Sequence, residues 1–125
     1  MPTVDLTLDS FEETVTSNDT VLVDFWAEWC GPCRSFAPTY EKASEVNPDL
    51  VFAKVDTEDQ QQLAMQFGIR SIPTLMVFRE QVLLYSQPGA LPPPALDDLI
   101  EQVRNLDMDD VRRQIEEQKA GQQSN

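Results

Sequence analysis

The run TVLVDFWAEW, Thr20 to Trp29, is close to continuously apolar. A strand of that composition is buried on both faces, so it belongs inside a parallel or mixed sheet with other layers above and below it. Asp24 stands in the middle of the run, and the run leads straight into Cys30-Gly31-Pro32-Cys33. A buried strand, a carboxyl group within it and two thiols at its end are the features any fold for this chain has to accommodate.

The rest of the chain supplies the layers. TVDLTL alternates as a short strand. DSFEETV reads as a helix start, with Asp9 or Ser10 as cap and Glu12 or Glu13 three residues on. After Cys30, the residues Phe36, Tyr40, Ala43 and Val46 recur at helical spacing and stop before NPD. DLVFAKVD is a third strand. TEDQQQLAMQFG is a third helix, with Thr57 and Gln60 as a capping box and Gly68 as its stop. TLMVF and VLLYSQ are two strands joined by REQ, and PPPALDDLIEQVRN is a helix with Pro in its first turn. The order β-α-β-α-β-α-β-β-α implies an α/β sandwich around a mixed sheet. Residues 1–104 form that domain. Residues 105–125 are an acidic, Gln-rich extension with Met108, Val111 and Ile115 on one possible stripe. Its composition favours a frayed or disordered tail, and a short docking helix is the sharper reading.

Composition removes several classes of function. The net charge of −13 repels phosphate and argues against nucleic-acid binding. No run of 18 apolar residues exists to span a membrane. The N-terminus MPTVDLTLDS has no basic patch followed by an apolar block, so a cytoplasmic address is expected. In a reducing compartment two cysteines suit catalysis or metal binding better than a structural staple.

Cys30 at the start of a helix meets unpaired N–H groups and a partial positive charge. Both favour its thiolate, the nucleophile of disulfide exchange. Cys33, one turn on, comes within bonding distance and can attack the mixed disulfide that Cys30 forms. Pro32 restricts the backbone between them. Three other readings compete. A structural disulfide closes too small a loop to constrain the unfolded chain. A zinc site needs four ligands, and the chain has two cysteines and no histidine. Inert core thiols fit poorly beside Gly and Pro at a strand-to-helix corner.

Asp24, among Val21, Leu22, Val23, Phe25 and Trp26, is expected to be buried with a raised pKa, suited to moving a proton to or from a thiol. The alternative places it on a polar face of the strand. Lys54 in VFAKVD is a candidate neighbour across the sheet, or else a solvated surface lysine. In SIPTLMVF, Pro73 directly precedes a strand, and a cis Ile72–Pro73 bond would leave Ile72 backbone groups free for an extended peptide.

WCGPC at Trp29–Cys33, the preceding run with Asp24, GIRSIPT at Gly68–Thr74 and PGAL at Pro88–Leu91 closely resemble thioredoxin, over about residues 4 to 104. The resemblance implies a thioredoxin fold, with about five strands and about four flanking helices. It implies a protein-disulfide reductase with Cys30 as exposed attacking thiolate and Cys33 as buried resolving thiol. Asp24 would serve proton transfer, tuned by Lys54. Trp29, Gly31, Pro32, Ile72, Pro73, Gly89 and Ala90 would form the apolar surface that takes the substrate, with Pro73 cis. The implied partners are disulfide-containing proteins and a flavin-containing, NADPH-dependent thioredoxin reductase. The chain would act as a monomer with no bound cofactor or metal beyond its redox-active disulfide. CGPCR and IRSIPT are similar to some actinobacterial thioredoxins. Ser35, Phe36, Ser71, the REQ turn, LPPPAL and the extension depart from the usual pattern and bear on partner choice.

Two other functional classes remain beside the reductase. One is an interaction subunit that binds a partner through its extension. The other is an oxidase or isomerase working outside the cytosol, against which the absence of His between the cysteines weighs.

Overall fold

A computed structural model of the chain describes residues 2–123, so Met1 and the last two residues of the extension lie outside the described residues. Among the described residues the elements follow one another as β1 (Thr3–Asp5), α1 (Leu8–Ser17), β2 (Thr20–Trp26), α2 (Gly31–Val46), β3 (Val51–Asp56), α3 (Gln61–Gln66), β4 (Thr74–Arg79), β5 (Val82–Pro88), α4 (Pro93–Asn105) and α5 (Met108–Gln123). The sheet order is β1-β3-β2-β4-β5. β3 runs parallel to both β1 and β2, while β4 is antiparallel to β2 and β5.

The apolar run explains this placement. β2 is hydrogen-bonded on both sides, and its side chains alternate between two cores. Val21, Val23 and Phe25 face Phe11 and Val15 of α1 and Leu63 of α3. Leu22 faces Phe36 and Tyr40 of α2 and Leu96 and Ile100 of α4. Burying a side chain such as Phe25 or Leu22 contributes about 1.5–3 kcal/mol, so the two cores together fix which helix covers which face. β2 ends at the pole where Cys30 lies. β4 starts at that pole with Thr74 and ends at the other with Arg79.

Several local expectations are corrected. β1 stops at Asp5, and the cap of α1 is Thr7 rather than Asp9 or Ser10. Thr7 Oγ1 accepts from Ser10 N–H at 3.3 Å, and Ser10 Oγ accepts from Thr7 N–H at 2.9 Å. The chain must bury Leu6 before turning, which moves the helix start upstream. Thr57 and Gln60 form no capping box. Thr57 Oγ1 donates to the Trp26 carbonyl at 3.0 Å, and Gln60 Oε1 accepts from Leu8 N–H at 2.9 Å, tying α3 to the start of α1. Val46, the last residue of α2, is 70% exposed and lies outside the core.

Most of the extension is helical, as α5 over Met108–Gln123. Asp107 Oδ1 accepts from the N–H groups of Asp109 and Asp110 at its start, and Met108 is buried. Arg112 pairs with Glu80 in the β4–β5 turn, and Arg79 donates to the Val103 and Leu106 carbonyls at the end of α4. These contacts hold α5 at the pole opposite Cys30. The turn itself has Glu80 and Gln81 at φ 50 and 68, two successive left-handed residues with no Gly or Asn. No described helix is long and apolar enough to cross a membrane.

Candidate active site

Cys30 caps α2. Its N–H donates to the Ala27 carbonyl at 3.2 Å, its Sγ accepts from Cys33 N–H at 3.2 Å, and its carbonyl accepts from Arg34 N–H at 3.1 Å. Pro32 stands in the first turn, where its missing N–H costs nothing. Cys30 and Cys33 form a disulfide with a Cα–Cα distance of 5.2 Å. The expected contrast between an exposed Cys30 and a buried Cys33 is not seen in this oxidised state. Their exposures are 4% and 2%. The pair packs with Ala27, and Trp26 and Ile72 pack against this cluster.

The second wall comes from the loop before β4. The Ile72–Pro73 bond is cis, and Cys30 Sγ lies 3.7 Å from the Ile72 carbonyl oxygen. The Ile72 N–H has no backbone partner among the described residues. The Pro73 carbonyl accepts from Gly89 N–H at 2.7 Å, with Gly89 at φ 107, and this bond brings Gly89 and Ala90 to the loop. Gly31, Pro32, Gly89 and Ala90 are exposed. Trp29 is 67% exposed, and its indole N–H donates to Glu58 Oε1 at 2.7 Å. The structure therefore places all seven residues expected at the substrate surface on segments that converge around the disulfide or on the loops bonded to them.

Asp24 lies on β2 two residues beyond Leu22 and on the same face, the face that Phe36 and Tyr40 of α2 cover. Its exposure is 1%, and neither carboxyl oxygen has a hydrogen-bond partner among the described residues. Burial pushes its pKa up to about 7, while the Lys54 charge pulls the other way. Asp24 and Lys54 stand in register on β2 and β3, and Lys54 Nζ sits 4.6 Å from the centre of the Trp26 ring.

Three neighbours were not singled out as site residues from the sequence. Trp26 carries Lys54 on its ring and has a buried indole N–H without a partner among the described residues. Tyr40 donates its hydroxyl to the Ala53 carbonyl at 2.7 Å, and its pKa is raised by burial and by the Asp24 charge. The FWAEW run could have pointed to Trp26, and helical spacing to Tyr40. Nothing local marks Glu58.

The family model described as Thioredoxin matches residues 2–102. A Streptomyces coelicolor protein named as a thioredoxin 2 is 64% identical over 118 residues, covering 94% of this chain and 88% of that one. Thioredoxin C-3 of Corynebacterium nephridii is 38% identical over 100 residues, covering 79% of this chain and 69% of that one. Among solved structures, thioredoxin of Plasmodium falciparum superposes with a TM-score of 0.74 at 35% identity, covering 80% of this chain and 97% of that one. A thioredoxin variant from Halobacterium salinarum gives 0.76 at 34% identity, covering 84% and 92%. Thioredoxins are protein-disulfide oxidoreductases that carry no bound cofactor, and Cys30–Cys33 is the redox-active disulfide here. The chain is a protein-disulfide reductase that works by dithiol–disulfide exchange. On its fold, its disulfide and its relatives alike, the chain belongs to the thioredoxin family.

Proposed function

We propose the following division of labour for the exchange. The Cys30 thiolate attacks one sulfur of a substrate disulfide, and the other substrate sulfur leaves as a thiolate and takes a proton. Cys33 then gives its proton to the Asp24 carboxylate and attacks Cys30 Sγ. The second substrate thiolate departs, and Cys30–Cys33 is left oxidised. Two electrons pass to the substrate. Lys54 tunes Asp24, and Trp29, Gly31, Pro32, Ile72, Pro73, Gly89 and Ala90 hold the substrate segment.

The observation that carries these roles is the position of Asp24, buried under α2 with unpartnered oxygens and a pKa of about 7. A group poised there can take a proton at neutral pH and return it. The disulfide is returned to the dithiol by a flavin-containing reductase that draws on NADPH. The protein works as a monomer in the cytoplasm. Residues 1–104 carry the chemistry, and residues 105–125 are an accessory extension; the position of α5 at the far pole supports that division.

Insulin reduction tests the assignment. Cys30→Ser should reduce turnover to the uncatalysed level, and Cys33→Ser should accumulate a Cys30-linked mixed disulfide. Full turnover by Cys30→Ser would remove the reading. The reduction potential of the pair, followed by tryptophan fluorescence in dithiothreitol buffers, should lie below that of the cytosolic glutathione pool. A value well above the pool would make the chain an oxidant.

A further inference from the structure

The chain holds nine Lys and Arg residues against 22 Asp and Glu, so acidic partners for its cations are plentiful. Arg79, Arg104, Arg112, Arg113 and Lys119 all take one. Lys54 lies over Trp26 and in register with Asp24. Like Lys54, Arg34, Lys42 and Arg70 have no ion-paired carboxylate among the described residues, and unlike Lys54 none of these three is taken up by an aromatic ring; Arg34 and Arg70 lie on the two segments that meet at the disulfide. Arg34 is tied by its N–H to the Cys30 carbonyl. Arg70 stands two residues before Ile72, whose carbonyl oxygen lies 3.7 Å from Cys30 Sγ. Both side chains belong to exposed residues.

Arg70 also lines a recess of about 200 Å³ with Ser71, Thr74, Ser86 and Pro88. The Ser71 and Ser86 hydroxyls have no hydrogen-bond partner among the described residues, so the recess offers two free O–H donors beside a free guanidinium. On the other flank the signs reverse. The Trp29 indole engages Glu58, and Glu28 and Asp59 are the chain neighbours of these two residues. The rim of the site is thus split into a cationic side, on α2 and the loop before β4, and an anionic side around Trp29.

We infer that Arg34 and Arg70 read carboxylates flanking the substrate's disulfide, so that acidic segments are the preferred protein substrates. The inference rests on the substrate surface assigned above. It runs against the total charge of −13, which favours basic partners at long range. That field is screened beyond about 8 Å at physiological ionic strength. At contact distance the two guanidinium groups decide, and each presents a planar fork matched to a carboxylate.

The test uses three peptides that differ only in the residues flanking one disulfide: Glu, Gln or Lys. Pre-reduced protein is mixed with each at 0.15 M ionic strength, and the second-order rate of oxidation is followed by tryptophan fluorescence. The expected order is Glu, then Gln, then Lys, with about tenfold between the ends, since one exposed ion pair is worth up to about fivefold. Arg34→Gln with Arg70→Gln should bring the three rates within about twofold, while Arg34→Lys with Arg70→Lys should keep the order. Salt at 1 M should narrow the spread. Equal rates, or a faster Lys peptide, would overturn the inference and leave the substrate surface standing. No reaction with any peptide would overturn both.

Discussion

Asp24 and Lys54 face each other in register across β2 and β3, yet the Asp24 carboxyl has no hydrogen-bond partner among the described residues. Lys54 turns its ammonium over the Trp26 ring, 4.6 Å from the ring centre. The carboxyl therefore feels the cation without being satisfied by it. Burial outweighs the attraction, and Asp24 is held near neutrality instead of in the usual carboxylate range.

That poise has a cost in stability. Asp24 ionises near pH 4 in the unfolded chain and at about 7 when folded. Below pH 4 the carboxyl is neutral in both states and the penalty is absent. Between pH 4 and 7 the unfolded state gains by releasing its proton, so folding stability falls as pH rises, and the full penalty stands above 7. Asp24→Asn should remove this slope and stabilise the oxidised protein at pH 8 by about 2–4 kcal/mol. Urea melts at pH 4 and pH 8 check it; equal stabilisation at both values would show that Asp24 is not the titrating group.

Lys54→Met removes the charge that lowers the Asp24 pKa. The carboxyl titration, followed by its carbon NMR shift, should move to higher pH. The release of substrate by Cys33 should lose rate at pH 7 and recover in more alkaline buffer. A midpoint unchanged by the substitution would mean that the ammonium is too well solvated over Trp26 to act on Asp24.

Ending the chain after Leu106 removes the buried Met108 and the Arg112–Glu80 pair. Met108 should dominate, because an exposed ion pair contributes little. Stability should fall by about 2 kcal/mol, with the reduction potential unchanged. A shifted potential would show that α5 acts on the disulfide from the far pole.

Replacing Glu80-Gln81 by Asn-Gly relieves two left-handed residues at about 1 kcal/mol each. The gain is offset by losing Glu80, which pairs with Arg112. Arg112→Ala in the same background separates the two effects. Thermal melts should show a net rise of about 1 kcal/mol, and no rise in either background would mean the turn is relaxed as it stands.

Much of this fold was legible because the apolar run at Val21–Trp26 can be buried only at the centre of a sheet. The redox pair was legible because two cysteines at a strand-to-helix corner have few other uses. The caps were not, since Thr7 and Gln60 were chosen by tertiary demands: the burial of Leu6 and a bond from α1 to α3. The near-equal burial of Cys30 and Cys33 goes with Trp26 and Ile72 packing against the pair, and Ile72 comes from a segment far from it in sequence. Glu58 on Trp29 was invisible for the same reason. The extension is helical because Asp107 caps it and Met108 finds a buried seat, neither of which its polar composition suggests.

The sheet order has a consequence for how the molecule comes apart. β2 and β4, which carry Asp24 to one side of the disulfide and lead from Pro73 on the other, each have neighbours on both sides, while the three-residue β1 and the outer β5 form the edges. Fraying begins where strands have one neighbour, and amides exchange with solvent fastest there. β1 and β5 can open and close many times while the frame around Cys30 stays shut, so the dithiol centre is among the last parts of the molecule to yield.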